Sequence, residues 1–360
     1  MFKAGNVFFE TQALNHKFKM SKYIFLFLFS FAFCLFLVPR IMKKAVNRDV
    51  VDKPAHRKVH RGIVPLWGGI PIYISFSGVI AIYYMFSVYF RAILHLNDDF
   101  LGKKLLGLIL GGFVLVFVGA IDDQKGVPPK LKLLGQIVAA LVVIAFGIRI
   151  LGFNIPFVNY YVSFASDMPF WAMILYALSF SASLLWIVAL INSMNFIDGL
   201  DGLAGGIAFI ASAAFFALAV FKPSDTMMST YVSVFIATVT AIFAGSLLGF
   251  LFYNVKPAKI FMGDGGSMFL GLMLSSLALI GSYKGLTAIM FFTPVLLLSV
   301  PIFDIVFAVI RRKLNGVPIS KADKSHLHHR LLALGLSPLQ AVIVLWAVAA
   351  LFSVFAYLLV

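Results

Sequence analysis

The sequence predicts an all-α polytopic integral membrane protein with about ten transmembrane helices. Of the 360 residues, 62% are hydrophobic and 12% are charged, and the mean hydropathy is +1.01. Several apolar runs reach roughly 20 residues, the length that a membrane-spanning helix needs, whereas a membrane strand needs only about 10. Because lipid offers no partner to the backbone, only helices and closed barrels cross it. The run lengths therefore favour helices.

Ten apolar runs are the predicted spans, and they follow a polar N-terminal tail, residues 1–22. A single integral-membrane domain, residues 23–360, contains all of them: 23–38, 66–90, 104–121, 132–148, 170–191, 203–221, 229–250, 267–281, 286–310 and 337–359. The first run ends in Val-Pro-Arg without a small-residue cleavage site. We therefore expect a retained helix rather than a signal peptide, with Met20 as an alternative start.

Ten spans place the connecting loops alternately on the two sides of the membrane. The loops of one side carry more Lys and Arg than those of the other, and they are 40–65, 122–131, 192–202, 251–266 and 311–336. The positive-inside rule predicts that this side is cytoplasmic. The basic residues, which give a net charge of +15, are spread through loops. They indicate contact with a membrane surface and an anionic substrate rather than with nucleic acid.

Carboxylates are scarce, so their positions are informative. Glu10 is the only glutamate, and carboxylate chemistry must fall to aspartates. Cys34, the only cysteine, lies in an apolar run, which excludes a disulfide or a Cys-x-x-Cys metal site. Because an aspartate near a membrane span is costly, each one there is a functional candidate.

The most informative stretch is NSMNFIDGLDG, residues 192–202, which separates two uncharged apolar runs. Asn192, Asn195 and Asp198 recur at a spacing of three, and Asp201 follows at the same interval. On a helical turn this spacing directs side chains the same way. Asn, Asp and Gly also cap helices, but a cap does not need four polar side chains at one spacing. We interpret the stretch as a metal-phosphate or nucleotide site.

Four other aspartates lie near or within the predicted spans. Asp122 and Asp123 are adjacent at a helix C-terminus, where the helix dipole is already negative, so a divalent cation or mutual pKa elevation would relieve the conflict. Asp264 lies between glycines before a helix, where an N-cap and a phosphate or Mg²⁺ site are both open interpretations. Asp304 lies inside a span and receives no chemical role.

Basic and histidine-containing loops complete the pattern. His326, His328 and His329 form an H-x-H-H cluster followed by Arg330, for which zinc, sugar-phosphate binding and a solvated basic loop remain open. The loop that begins at Asp52 is either a phosphate-holding arm or a basic segment on lipid. Carboxylates, cations and histidines on one membrane face suggest phosphoryl transfer from a nucleotide-linked donor to a lipid acceptor.

These motifs resemble those of the bacterial polyprenyl-phosphate N-acetylhexosamine-1-phosphate transferases. The resemblance rests on DKPAHRKVHRGIVPLWGG, DDQKGVPPKLK, NSMNFIDGLDGLAGG, FMGDGGS and HLHH, in that order. It implies transfer of GlcNAc-1-phosphate from UDP-GlcNAc to undecaprenyl phosphate with release of UMP, the first membrane step of a polymer such as teichoic acid or O-antigen. Relatives that transfer phospho-MurNAc-pentapeptide carry three consecutive histidines. Leu327 interrupts that run here, which favours the GlcNAc branch.

The resemblance also implies roles for the carboxylates and lysines. Asp122, Asp123 and Asp264 would be the catalytic residues. Asp264 would be the main ligand of Mg²⁺, with Asp123 beside it and Mn²⁺ as the alternative ion. Lys125 and Lys132 would contact the phosphate of the acceptor.

The donor end is expected to combine amide, carboxylate, aromatic and basic side chains. Phe261 would stack on uracil. The full expected donor set is Asn192, Asp198, Asp201, Phe261, His328, His329 and Arg330. The resemblance further implies a bacterial inner-membrane enzyme with its active site on cytoplasmic loops, in contact with membrane lipid and able to form a homodimer. A transporter with carboxylate sites is disfavoured because transporters place such residues near mid-membrane in broken helices, whereas these lie at span ends.

Overall fold

The computed structural model describes residues 20–53, 62–93, 100–150, 152–155, 160–163, 169–222, 227–281, 295–314, 316 and 326–359. The helices are α1 (Met20–Asn47), α2 (Gly69–Ile93), α3 (Phe100–Lys125), α4 (Pro129–Ala145), α5 (Pro169–Ile197), α6 (Leu203–Phe221), α7 (Met227–Asn254), α8 (Gly263–Gly281), α9 (Ser299–Leu314), α10 (Leu327–Ala333) and α11 (Pro338–Leu359). Two antiparallel hairpins join β1 (Val51–Asp52) to β2 (Val64–Pro65) and β3 (Gly152–Ile155) to β4 (Tyr160–Ser163).

Within the described part of the chain, eight helices are long and apolar enough to cross a membrane: α1, α2, α3, α5, α6, α7, α8 and α11. The predicted fold class, an all-α polytopic membrane protein, is confirmed. The predicted run 132–148 corresponds to α4, which has 17 residues. Of the predicted run 286–310, residues 286–294 lie outside the described residues, and α9 begins in its second half. The count of ten spans stays a prediction.

Several helices continue beyond the apolar runs that predicted them. The predicted loop 192–202 begins inside α5, which ends at Ile197. Polar residues remain helical there because neighbouring elements supply their partners. The Asn192 side-chain amide donates hydrogen bonds to Gln136 Oε1 (2.7 Å) and to the Val188 carbonyl (2.8 Å). Hydropathy identifies the residues that can lie in lipid, but it does not locate the end of the helix, because that end depends on such polar contacts.

The centre of the bundle is formed by α7 and α8. In each, 89% of the apolar stretch is buried by protein, against 22% in α1 and 28% in α11. The α8 helix packs against α3, α5 and α2, while α7 packs between α1 and α6. The outer helices expose large apolar side chains such as Phe25, Phe113 and Leu351. Exposed apolar surface on a multi-pass protein is the surface that lipid covers.

Glycines allow α2 and α3 to contact the first turn of α8. A Cβ atom added at Gly69 would lie 2.3 Å from Gly266 Cα, and one added at Gly119 would lie 2.1 Å from Gly265 Cα. Small residues permit this backbone-to-backbone approach between membrane helices. The contacts fix the end of α8 that carries Asp264.

The polar segment before α2 lies against the segment before α8. The Phe261 N–H donates to the Pro65 carbonyl (2.9 Å), and the N–H groups of Gly68 and Gly69 donate to Phe261 (3.0 Å) and Met262 (2.8 Å). These bonds hold the first hairpin beside the start of α8. Two loops that are distant in sequence thus reach the same end of the bundle.

The glycine contacts yield a stability prediction. Gly119→Ala should lower the free energy of unfolding by about 1–3 kcal/mol, because the new methyl group meets backbone that has no rotamer to change. Thermal unfolding in detergent micelles measures the change. Gly281→Ala is the matched control, since a Cβ there has only Ile236 Cδ1 at 3.7 Å within 4 Å. Equal melting temperatures of the two variants would contradict the packing argument.

Candidate active site

A cavity of about 840 Å³ lies where the polar ends of α3, α5, α7 and α8 meet the first hairpin. This volume lies in the range of small-ligand and cofactor sites. Its polar lining residues come from segments far apart in sequence: Asp52, Asp123, Asn195, Asp198, Asp201, Asn254, Lys256, Asp264 and His329. The cavity therefore collects carboxylates, amides and a lysine at one end of a membrane helix bundle.

Six of the predicted site residues line this cavity, and six do not. The lining members are Asp123, Asp198, Asp201, Phe261, Asp264 and His329. The others are Asp122, Lys125, Lys132, Asn192, His328 and Arg330. Four of these six (Asp122, Lys132, Asn192 and His328) contact groups behind or beside the cavity, as described below.

The first turn of α8 is joined to the last turn of α3. Asp123 Oδ1 accepts a hydrogen bond from the Asp264 N–H at 3.2 Å. Gly263 has a positive φ of 72°, and a Cβ there would lie 2.3 Å from Asp123 Oδ2. An N–H group of the first helical turn lacks a partner within its own helix. Asp123 supplies that partner, so the Asp264 side chain is available for other contacts.

The two adjacent aspartates of α3 point in different directions. Consecutive residues of a helix are separated by about 100° around its axis, so Asp122 and Asp123 cannot share one surface. Asp122 Oδ1 accepts the Val127 N–H at 2.6 Å, while its Oδ2 lies 3.3 Å from Lys132 Nζ. Asp123 lines the cavity and Asp122 does not.

Lys132 connects the α4 helix to the carboxylates. Its Nζ contacts Asp264 Oδ2 and also pairs with Asp122. Only 18% of the Lys132 side chain is exposed. A partly buried ammonium between two carboxylates offsets negative charge beside the cavity.

The polar residues of α5 divide between packing and the cavity. Asn192 and Gln136 exchange two hydrogen bonds, at 2.7 and 3.2 Å, and this pair joins α5 to α4. Asn195, one turn further along, accepts from Ser267 Oγ at 2.7 Å and lines the cavity. The predicted donor residue Asn192 therefore contacts protein groups, while Asn195 is the asparagine of α5 that lines the cavity.

Asp198 and Asp201 lie in the turn between α5 and α6. The pKa of Asp198 is raised to about 7, mainly by burial and to a smaller extent by the neighbouring carboxylates of Asp123 and Asp201. The Asp201 Oδ2 accepts a hydrogen bond from the Ala258 N–H at 3.2 Å. Several carboxylates thus lie close enough to disfavour one another's charge, which is the condition that a bound cation relieves.

The histidine cluster is divided by burial. His328 is buried, and a Cβ at Gly199 would lie 2.4 Å from its Nε2. The pKa of His328 is lowered to about 4, mainly by burial and to a smaller extent by His329 and His326, while Asp304 has the opposite effect. His328 is therefore neutral at pH 7 and packs under the turn at Gly199. His329 lines the cavity, and its ring centroid is 4.2 Å from that of His328.

Sequence reasoning did not select Lys256 and Asn254, although both line the cavity. Asn254 accepts from the Gly202 N–H (3.0 Å) and donates to the Ile260 carbonyl (2.8 Å), joining two loops. Lys256 belongs to the segment YNVKPAK, and a lysine in a polar loop gives no signal by itself. Its position before the motif that contains Asp264 was the only available indication.

Within the described residues, no group of three or more His, Cys, Asp or Glu side chains is arranged to hold a metal ion by itself. Asp123 and Asp264 nevertheless line the same cavity and are joined by a hydrogen bond. Mg²⁺ is commonly held by one or two carboxylates together with substrate phosphates and water. A site of that kind requires no larger cluster of protein ligands.

Comparison with known proteins agrees with the motif analysis. Residues 105–282 match the sequence model of glycosyl transferase family 4. Over 326 residues, covering 90% of this chain and 81% of the relative, the chain is 36% identical to the "Probable undecaprenyl-phosphate N-acetylglucosaminyl 1-phosphate transferase" of Bacillus subtilis (strain 168).

Two further relatives have similar names. The "Decaprenyl-phosphate N-acetylglucosaminephosphotransferase" of Mycobacterium tuberculosis (strain ATCC 25618 / H37Rv) is 30% identical over 315 residues, covering 84% of this chain and 74% of the relative. The "Undecaprenyl-phosphate alpha-N-acetylglucosaminyl 1-phosphate transferase" of Escherichia coli (strain K12) is 29% identical over 323 residues, covering 89% and 78%. The chain belongs to glycosyl transferase family 4, and the predicted resemblance to polyprenyl-phosphate N-acetylhexosamine-1-phosphate transferases is confirmed.

Proposed function

We propose that the protein transfers GlcNAc-1-phosphate from UDP-GlcNAc to undecaprenyl phosphate, forming undecaprenyl-diphospho-GlcNAc and UMP. The observation that carries the proposal is the cavity, in which Asp123, Asp198 and Asp264 lie with Lys256 and Phe261 at one end of a membrane bundle. The names of the relatives support GlcNAc-1-phosphate as the transferred group. Phospho-MurNAc-pentapeptide transfer is the less favoured alternative.

The donor is proposed to bind between the turn after α5 and the segment before α8. Phe261 offers an aromatic face to uracil, and Lys256 offers a cation to the diphosphate. Asn195, Asp201 and His329 line the same space. Because His328 is buried and neutral, the sugar-phosphate contact predicted for the histidine cluster falls to His329.

The acceptor is proposed to approach along α4. Leu131, Leu134 and Val138 are 55%, 54% and 40% exposed, and their spacing places them on one face of the helix. Lys132 lies on the same helix and contacts Asp264. A polyprenyl chain lying on this apolar face would bring its phosphate to Lys132, with Lys125 at the end of α3 as a second cation.

The carboxylates of the cavity suit a divalent cation. The carboxylates of Asp123 and Asp201 lie close enough to Asp198 to contribute, after burial, to its raised pKa, and Asp264 and Asp123 are the proposed ligands of Mg²⁺, with Mn²⁺ as the alternative. When bound, the ion would neutralise charge on the diphosphate of the donor. Asp122, which is directed toward Lys132, would position that lysine rather than bind metal.

The proposed chemistry is direct displacement. An oxygen of undecaprenyl phosphate attacks the phosphorus that bears the sugar, and the bond to the UMP oxygen breaks with its electron pair. Asp123, or Asp122 beside it, would accept a proton from the acceptor, although a phosphate with a second pKa of about 6 needs little assistance at pH 7. A covalent aspartyl-phosphate intermediate is the alternative route.

The active site is proposed to face the cytoplasm from the bacterial inner membrane. The cavity lies among loops of the side that carries the excess of Lys and Arg, which supports this orientation. The expected homodimer stays a prediction.

Donor choice is tested directly with purified protein, Mg²⁺, undecaprenyl phosphate and a panel of UDP-sugars. UDP-GlcNAc should release UMP, and chelation of the metal with EDTA should reduce release to background. Chromatographic quantification of UMP measures both effects. Turnover with UDP-MurNAc-pentapeptide alone would overturn the assignment, and full activity in EDTA would overturn the metal requirement.

Two aspartates are expected to affect the reaction differently. Asp264→Asn should abolish turnover, because the proposed metal ligand and partner of Lys132 loses its charge. Asp201→Asn should mainly raise the KM for UDP-GlcNAc, on the order of 10-fold for one lost charged hydrogen bond. Steady-state kinetics distinguishes the two effects.

The control for this pair is Asp49→Asn, at a solvent-exposed carboxylate paired with Lys53, which should leave both parameters unchanged. A fully active Asp264→Asn enzyme would contradict the proposed site.

The route of transfer is tested by rapid mixing of the enzyme with labelled UDP-GlcNAc in the absence of lipid. Direct displacement predicts no release of UMP, because the attacking oxygen is missing. A burst of UMP equal to the enzyme concentration would establish the covalent route instead.

A further inference from the structure

A buried carboxylate–histidine pair lies behind the cavity. Asp304 Oδ2 is 2.7 Å from His326 Nδ1, with 2% and 7% of the two side chains exposed. Asp304 Oδ1 accepts the Leu327 N–H, also at 2.7 Å. Both oxygens of one carboxylate are therefore bonded to one two-residue segment, at the start of α10. Neither Asp304 nor His326 lines the cavity.

This arrangement fixes α10 relative to α9. His326 is the residue before α10 and makes no side-chain cap of its own, so a first-turn N–H of that helix depends on a carboxylate from α9. The bond to Nδ1 also fixes the orientation of the imidazole ring. An unpaired carboxylate would be costly in this buried position. The bonds of Asp304 to His326 and Leu327 therefore join α9 to the start of α10.

The ring of His326 lies near the rings of Phe196 and His328, which connect it to residues of the cavity. Its centroid is 5.4 Å from that of Phe196, in the last turn of α5, and 6.1 Å from that of His328, with the two imidazoles nearly parallel at 4°. Phe196 comes two residues before Asp198. His328 in turn contacts the turn at Gly199 and the ring of His329.

We propose that Asp304, through His326, is a positioning residue that sets the placement of His329 and of the Asp198–Asp201 turn. The inference rests on the proposed function in one respect, that this side of the cavity binds the donor. Lys132, on the acceptor side, has no contact with the pair. Loss of the pair should therefore affect use of the UDP-sugar and spare use of undecaprenyl phosphate.

The decisive variant is Asp304→Asn, which keeps the shape of the side chain but removes its charge. We expect the KM for UDP-GlcNAc to rise on the order of 10- to 100-fold, as displacement of a binding group by about 1 Å produces. The KM for undecaprenyl phosphate should stay within about 2-fold. His326→Gln removes the other member of the Asp304–His326 pair and should have the same effect. The double variant should resemble the single ones, because the two residues act as a unit.

Ser193→Ala is the matched control. The buried Ser193 hydroxyl of α5 donates to the Pro301 carbonyl of α9, so its loss loosens the same helix pair without touching His326. It should lower thermal stability and leave the ratio of the two KM values unchanged. If Asp304→Asn and His326→Gln reduce kcat without separating the two KM values, the positioning role is overturned.

Amide hydrogen exchange tests the same link without any substrate. In Asp304→Asn, or in His326→Gln, exchange should accelerate over residues 327–333 and 196–202, whereas Ser193→Ala should leave 327–333 unchanged. Unchanged exchange in both segments would overturn the link whatever the enzyme transfers. A wild-type enzyme that is inactive with every UDP-sugar would instead contradict the proposed function. Hydrogen exchange would then still test whether Asp304 and His326 position α10 and the Asp198–Asp201 turn.

Discussion

The backbone contact between α8 and the helices α2 and α3 is the constraint on which the site depends. At Gly69 and Gly119, no side chain separates these helices from the first turn of α8. The end of α8 therefore reaches the end of α3, and Asp123 bonds to the backbone N–H of Asp264. A larger residue at Gly119, where α3 meets α8, would separate the two proposed metal ligands. Close packing of helix backbones at this end of the bundle in this way determines the spacing of the polar groups there.

The polar groups around the cavity are stabilised by one another rather than by lipid-facing structure. Asp123 satisfies a helix N-terminus, Lys132 offsets the charges of Asp122 and Asp264, and Asn254 joins two loops. Buried polar groups of this kind are tolerated where each has a partner. The carboxylates of Asp123 and Asp201 still lie close enough to Asp198 to disfavour its charge, and this grouping suits a metal–diphosphate ligand.

The proposed donor and acceptor sides of the cavity are supported by separate sets of contacts. On the donor side, Asp304 and His326 hold α10 behind the turn that contains Asp198. On the acceptor side, α4 carries Lys132 beside an apolar face. Because the two supports do not share residues, substitutions behind the site are expected to separate the KM values of the two substrates.

The sequence by itself determined the fold class, because long uncharged runs leave the chain few alternatives in lipid. It also identified the segments that form the cavity, since Asp123, Asp198, Asp201 and Asp264 all lie where an apolar run ends. Only the tertiary structure decided which member of each motif faces the cavity. In each of three pairs, one residue lines the cavity and the other does not. The lining members are Asp123, Asn195 and His329, and their counterparts are Asp122, Asn192 and His328. These choices depend on the rotation of each helix and on where it ends, which are set by partners such as Gln136 and Gly199 that are distant along the chain.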